Sequence, residues 1–128
     1  GTSNTTSLAA RVRAANAWPA DYFISIHANA NTDPVVNGTE VYVYRKYTQS
    51  YYLAQHILSA IVNVVGTRDN GVRVNPSLYV LRRTNMPAVL VELAYVTNAG
   101  DAEKLETMQP EFARGIYEGL LNYFGLDQ

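Results

Sequence analysis

The sequence predicts an α/β domain, a mixed sheet covered by helices on both faces, and three observations carry that prediction. Segments with helical periodicity alternate with strand-like segments along the chain. The segment Ala88–Val96 is apolar at every position except Glu92, as expected of a strand with helices packed on both sides. The link between the first two strands is too short for a crossover helix, so those strands run antiparallel if they are neighbours. At 128 residues, with no repeat, linker or low-complexity segment, residues 1–128 read as one domain.

Each element has a local cause. Ser7 is placed to cap a helix whose apolar side holds Leu8, Val12 and Ala15, and Pro19 stops it by about Ala17. Asp21–His27 is rich in aromatic and β-branched residues and predicts a strand; Ala28–Asn37, with its Asn, Asp and Pro, predicts a loop. Gly38 opens a second strand over Thr39–Tyr44. Ser50 is expected to cap the next helix, whose buried stripe is Leu53, Ile57, Ile61 and Val64 and which ends at Gly66. The polar stretch Thr67–Pro76 carries a turn at Asn70-Gly71, and Ser77–Leu81 is expected to be a short strand. Pro87 begins the most apolar strand, and Asp101 is expected to cap a short helix. Pro110 sits at the first turn of a last helix in which Phe112, Ile116, Leu120 and Phe124 recur every four residues, closed by Gly125.

Composition narrows function. A net charge of −1 offers no basic excess for phosphates, which argues against a nucleic-acid partner. No run of about 18 apolar residues exists to span a membrane, and the polar start is not a signal peptide. The absence of cysteine removes disulfides, thiolate nucleophiles and sulfur-ligated metals. A metal here must use the two histidines, carboxylates or carbonyls.

Glu92 is the most informative residue, because an unpaired carboxylate inside an apolar strand costs several kcal/mol or takes up a proton. Either Arg82 or Arg83 pairs with it, or a cation or a proton-transfer task compensates. His27 ends another apolar strand. Both residues fall toward the C-terminal ends of strands, where α/β sheets build ligand sites, and a His and a Glu meeting there suit a metal ligand and a general base. Glu40 is expected to border that site, since Gly38 brings it near His27. His56 groups with Tyr52, Ser59 and Asn63 on the polar side of its helix and reads as a surface histidine. The ten tyrosines invite a sugar-stacking reading, but Tyr42 and Tyr44 alternate with Val41 and Val43 as in any half-exposed strand.

Taken in order, Ser7-Leu-Ala-Ala-Arg11 with Ala15-Asn16, Phe23-Ile-Ser-Ile-His-Ala-Asn29, Gly38-Thr-Glu-Val-Tyr-Val-Tyr44, Leu81-Arg82 with Met86-Pro-Ala-Val-Leu-Val-Glu92, and Val96-Thr-Asn98 closely resemble the zinc-dependent N-acetylmuramoyl-L-alanine amidases with a type 3 catalytic domain. The resemblance runs over nearly the whole chain. It implies a phosphorylase/hydrolase-like fold and cleavage of the amide between N-acetylmuramic acid and L-alanine in peptidoglycan, outside the cytoplasm. It implies Zn2+ as cofactor, His27 as a zinc ligand and Glu92 as the catalytic glutamate. Asn29, Glu40, Arg82 and Asn98 match motif positions near the groove and are candidates for substrate contact.

The family's first strands, with a Gly-His-Gly-Gly type segment and a following Glu that supply its other zinc ligands, have no counterpart here. The resemblance therefore implies the C-terminal two thirds of the domain, with the N-terminal segment as a possible partner. The chain alone is expected to bind zinc weakly and not to hydrolyse the wall. A zinc carboxypeptidase and a degenerate, non-catalytic cell-wall-binding or regulatory domain remain the alternatives.

Overall fold

The computed structural model describes residues 8–17 and 21–126; the expected cap Ser7 and the helix-stopping Pro19 lie outside them. In chain order the elements are α1 (Leu8–Ala17), β1 (Phe23–Asn29), β2 (Thr39–Val43), α2 (Gln49–Val65), β3 (Asp69–Val74), α3 (Tyr79–Arg83), β4 (Ala88–Tyr95), α4 (Ala99–Thr107) and α5 (Gln109–Phe124). The strands form one sheet in the order β1-β4-β2-β3. β4 runs parallel to β1 and antiparallel to β2, and β2 runs parallel to β3. The sheet is therefore mixed, as expected. β1 and β2 run in opposite directions but are not neighbours, because the most apolar strand, β4, takes the place between them, where both of its faces are covered.

One face packs on α2 and α5. Val41, Val43, Val89, Val91 and Ala94 of the sheet meet Leu53, Ile57 and Ile61 of α2 and Phe112 of α5 in the main core. Leu53, Ile57 and Ile61 are fully buried, and burial of each such side chain contributes about 1.5–3 kcal/mol. The opposite face carries a smaller cluster in which Val12 of α1 and Val80 and Leu81 of α3 cover Ala88 and Leu90. Val64 is only half-buried and Val65 completes the α2 stripe instead. Leu8 and Phe124, the ends of their apolar rows, are exposed.

Four local expectations are corrected. The α2 cap is Thr48, not Ser50: its Oγ1 accepts from the Tyr51 amide while Ser50 is buried beside it. The α4 cap is Asn98, whose Oδ1 accepts from the Asp101 amide; Asp101 itself turns inward and accepts from the Gly38 and Tyr95 amides through Oδ2. Each cap lies two or three residues earlier than expected because a second polar residue in the first turn was free to serve the interior. Ser77–Leu81 is not a strand. Asn75 turns the chain by accepting from the Ser77 and Leu78 amides, and the consecutive buried pair Val80-Leu81 sits on the helix α3, whereas a strand would send one of the two to the other face. The polar stretch 69–74 is a strand, β3, at the sheet edge, where polar side chains face solvent; Gly71 bends it at φ 86°.

α2 and α5 approach closely because α5 carries glycine at 115 and 119. A Cβ at Gly119 would stand 2.6 Å from Ile57 Cα, and one at Gly115 2.9 Å from Ile61 Cα. Gly119→Ala is therefore expected to destabilise the fold by about 1–3 kcal/mol through overpacking, net of the propensity alanine gains in a helix. The midpoint of urea unfolding measures it; an unchanged midpoint would show that the helices separate freely.

Candidate active site

The parallel register of β1 and β4 sets His27 directly opposite Glu92, and the antiparallel register of β2 and β4 sets Glu40 opposite Glu92 from the other side. Residues opposite one another share a face, so three sequence-predicted residues lie side by side across neighbouring strands about 4.8 Å apart. His27 and Glu92 open into one cleft of about 350 Å³ whose other walls include Tyr42, Asn75, Tyr79 and Leu90. The cleft is mainly apolar, with Leu8 at its rim.

The two carboxylates have unequal surroundings. Glu40 is fully buried, and four donors hold it: Tyr42 Oη at 2.6 Å, Tyr95 Oη at 2.8 Å, Arg73 Nη1 at 3.1 Å and Asn70 Nδ2 at 3.2 Å. Burial alone pushes its carboxyl up, but the hydrogen bonds from Tyr42, Tyr95 and Asn70 and the charge of Arg73 outweigh it, so Glu40 is held below the usual carboxylate range. The Tyr95 phenol, buried and bonded to that anion, is pushed up to about 12. Glu92 has no such support: its Oε1 is buried with no hydrogen-bond partner among the described residues. Burial first, and then the negative charge of Glu40, push its carboxyl above the usual range. Arg82 and Arg83 are both exposed and form no ion pair with it among the described residues, so the arginine-pairing alternative is not realised.

His27 is half-buried and its Nε2 lies 2.7 Å from Ser25 Oγ. Burial, and after it the Arg11 guanidinium, hold the imidazole below its ordinary range, so it is neutral near pH 7 and has a lone pair to offer. It is a single donor: among the described residues no three His, Cys, Asp or Glu side chains come together in a group able to hold a metal.

The remaining candidates lie elsewhere. Asn29 Oδ1 accepts from the Ala30 amide and its carbonyl accepts from Val96, which ties the end of β1 to the chain after β4. Asn98 caps α4 and donates from Nδ2 to the Pro34 carbonyl. Arg82 lines a separate hollow with Tyr44, Arg45 and Met86. His56 is exposed on α2, its Nδ1 2.8 Å from the Tyr52 carbonyl and its ring against Tyr123, as expected of a surface histidine. Sequence reasoning missed Tyr42 and Tyr79 as cleft walls and Arg73 as the counter-ion of Glu40. Tyr42 was legible as the residue two after Glu40, hence on its face of the strand; Arg73 was hidden in a stretch that read as a turn.

Comparison with known proteins agrees with this architecture. The profile of the N-acetylmuramoyl-L-alanine amidase family matches residues 1–122. The chain is 41% identical over 122 residues to the N-acetylmuramoyl-L-alanine amidase LytC of Bacillus subtilis (strain 168), covering 92% of this chain and 24% of that protein. It is 41% identical over 129 residues to the amidase CwlM of Bacillus licheniformis, covering 97% of this chain and 49% of that protein. Among solved structures, the amidase of Clostridium difficile 630 superposes with a TM-score of 0.86 at 38% identity, over 94% of this chain and 66% of that one. The catalytic domain of CwlV from Bacillus (Paenibacillus) polymyxa var. colistinus gives 0.84 at 35%, over 95% and 68%. The chain thus spans from a quarter to a half of these curated relatives and about two thirds of the solved domains.

An unsatisfied buried carboxylate has a signature in stability. With its pKa raised in the folded state, Glu92 binds its proton more tightly folded than unfolded, so the stability linked to that proton is present below the ordinary value of 4.5 and is lost as pH rises through the folded pKa. Glu92→Gln is therefore expected to melt a few degrees above the unaltered chain at pH 7–8, with the gain fading near pH 4. Equal melting temperatures across that range would mean that Glu92 is paired or solvated.

Proposed function

Because the chain belongs to the N-acetylmuramoyl-L-alanine amidase family, we propose that it is a cell-wall hydrolase that cuts the amide between N-acetylmuramic acid and L-alanine in peptidoglycan, with Glu92 as its acid–base residue. One observation carries the role of Glu92: a carboxylate kept in an apolar cleft beside a neutral imidazole, with a buried oxygen that none of the described residues satisfies. A purely structural glutamate at that place would have a donor, as Glu40 has four. The names of the relatives support the substrate, and two relatives named as cell wall amidases support action outside the cytoplasm.

The chemistry follows from the two carboxylates. Glu92, deprotonated, takes a proton from a water molecule as its oxygen forms a bond to the amide carbonyl carbon. The same proton then passes to the nitrogen of L-alanine as the carbon–nitrogen bond breaks, leaving a carboxylic acid on the lactyl group and a free amine on the peptide. A base with a raised pKa suits both halves of this exchange, because it holds the proton long enough to hand it on. Glu40 stays ionised opposite and keeps Glu92 from being a permanent anion. The apolar walls, Leu90 and Tyr79 among them, exclude bulk water from the cleft.

Zinc stands on narrower ground. A catalytic zinc takes about three protein ligands, and His27 is one suitable donor, whereas no group of three comes together among the described residues. The donors present among the described residues do not fit a complete zinc site. His27 is proposed as one ligand only.

Three measurements test this reading. Digestion of purified peptidoglycan is expected to free stem peptides with new N-terminal alanine; release of terminal amino acids alone would mean a carboxypeptidase. Measured on the whole protein, Glu92→Gln is expected to lower that release by about 10²–10⁴-fold while leaving circular dichroism unchanged, and near-normal turnover would make Glu92 structural. Zinc titrated into the 128-residue chain is expected to bind weakly, and His27→Ala to remove that binding; tight stoichiometric zinc would require ligands other than those named here.

A further inference from the structure

A hollow of about 390 Å³ is lined by the turn that joins β2 to α2 and by the end of α3. Arg45 comes from the turn and Arg82 from the helix, and Leu81, Met86 and Pro87 give the hollow its apolar surface. The turn is held in one shape. Thr48 Oγ1 donates to the Arg45 carbonyl at 3.1 Å, and Tyr47 takes the left-handed conformation at φ 63°, which a bulky residue rarely adopts. The Arg45 guanidinium lies 5.1 Å from the centre of the Tyr44 ring, which also lines the hollow, so the ring fixes where that charge stands.

These charges lack counter-ions. Arg45 and Arg82, and Lys46 and Arg83 next to them in sequence, are all exposed and form no ion pair among the described residues. The described acids lie elsewhere, with one exception. Asp69 pairs with Thr39, and Asp101 holds the Gly38 amide, at the start of β2 and about 17 Å along the strand from Tyr44. Asp33 belongs to the loop before that start. Glu40 and Glu92 face each other four residues from Tyr44 and Ala88, or about 13 Å. The acids of α4 and α5 stand on helices packed against the other face of the sheet. The exception is Asp21, two residues before Phe23, whose amide donates to the Pro87 carbonyl. Four cations against that carboxylate leave 4 − 1 = +3, in a chain whose net charge is −1. The first turn of α2, which borders the hollow at Ser50, adds no acid.

Two guanidinium forks that reach one hollow from separate elements suit an anion with acceptors in more than one plane. A carboxylate has two coplanar oxygens, which a single fork satisfies. A phosphate monoester has three terminal oxygens and a charge of about −1.5 to −2 near pH 7, which matches the two lining arginines. The hollow has the size of a small-molecule site, so it takes an organic group besides the phosphate. We propose that the Arg45–Arg82 hollow binds a small phosphate monoester, with the phosphoryl group between the two arginines and the organic part against Leu81, Met86 and Pro87. This ligand is no part of the amidase reaction, and the proposal does not rest on that reading.

The test is binding, followed by the amide resonances of the 128-residue chain in solution. The probes are glucose 6-phosphate, glucose, and glucuronate, which puts a carboxylate on the same ring. Glucose 6-phosphate is expected to bind and to shift the amides around Arg45 and Arg82. Glucuronate is expected to bind about tenfold or more weakly, and glucose not at all. Arg45→Gln and Arg82→Gln are each expected to weaken the phosphate ester about tenfold. Both side chains are exposed, so the variants are expected to melt with the unaltered chain. Vesicles of phosphatidylcholine with phosphatidic acid carry the same group on a lipid, and are expected not to sediment the chain, because the organic part has to enter the hollow. Four results would each overturn the site: no saturable binding of glucose 6-phosphate, equal affinity for glucuronate, shifts centred elsewhere, or full affinity in either variant. Sedimentation by the vesicles that both variants abolish would replace the small ester with a lipid headgroup.

Discussion

Two carboxylates face each other across the antiparallel pair β2–β4, and the site depends on their being treated differently. Like charges opposite one another on neighbouring strands repel and destabilise the pair. Here the repulsion is divided unequally. Glu40 takes every available donor, two phenols, an amide and a guanidinium, and stays ionised. Glu92 takes none on its buried oxygen among the described residues and is pushed toward its protonated form. A pair of titratable groups driven apart in this way is how a fold keeps one carboxyl as a fixed charge and frees the other for proton transfer.

That arrangement is possible only because β4 is fixed from both sides and both faces. Parallel pairing with β1 brings His27 level with Glu92, and antiparallel pairing with β2 brings Glu40 level with it. A shift of one residue in either pairing would send the facing residue to the opposite face. The register is held by burial of Val89 and Val91 against α2 and by Ala88 and Leu90 beneath α1 and α3. Asp101 adds a polar lock: one carboxylate oxygen receives amides from Gly38, just before β2, and from Tyr95, at the end of β4. Gly38 is at φ 112°, and a Cβ there would stand 2.6 Å from the Arg68 carbonyl, so the entry into β2 requires glycine.

Much of this was legible beforehand, and the failures have specific causes. The strands holding His27, Glu40 and Glu92 were readable because their apolar patterns are strong, and Glu92 stood out as the one polar residue in its strand. The stripe Leu53, Ile57, Ile61 and the closing glycines 66 and 125 held for the same reason. β3 was missed because an edge strand needs no apolar run, and Asn70-Gly71 within it carries the signature of a turn. α3 was misread because five residues are too few to show a helical period. The caps shifted because Ser50 and Asp101 were available for contacts inside the fold, which local rules do not see. Residues 115 and 119 gave no signal of their close approach to α2, since a glycine pair reads equally well as weak helix.

The class of fold, the strands that carry the site and the unusual character of Glu92 are written locally in the chain, because each depends on interactions within a short stretch: periodicity, propensity and the cost of one charge in an apolar run. The sequence also carried enough ordered motif to point to a family. The tertiary structure alone decided that β4 lies between β1 and β2, that Glu40 is the buried, fully bonded partner of the pair while Glu92 is the unsupported one, and that Arg73 and Tyr95 belong to the same network. Those facts depend on which strands become neighbours and on which donors arrive from residues 30 to 55 positions away. A carboxylate's proton affinity is set by the groups around it in space, and for Glu40 and Glu92 those groups are brought in by sheet order and register, which no local stretch of the chain encodes.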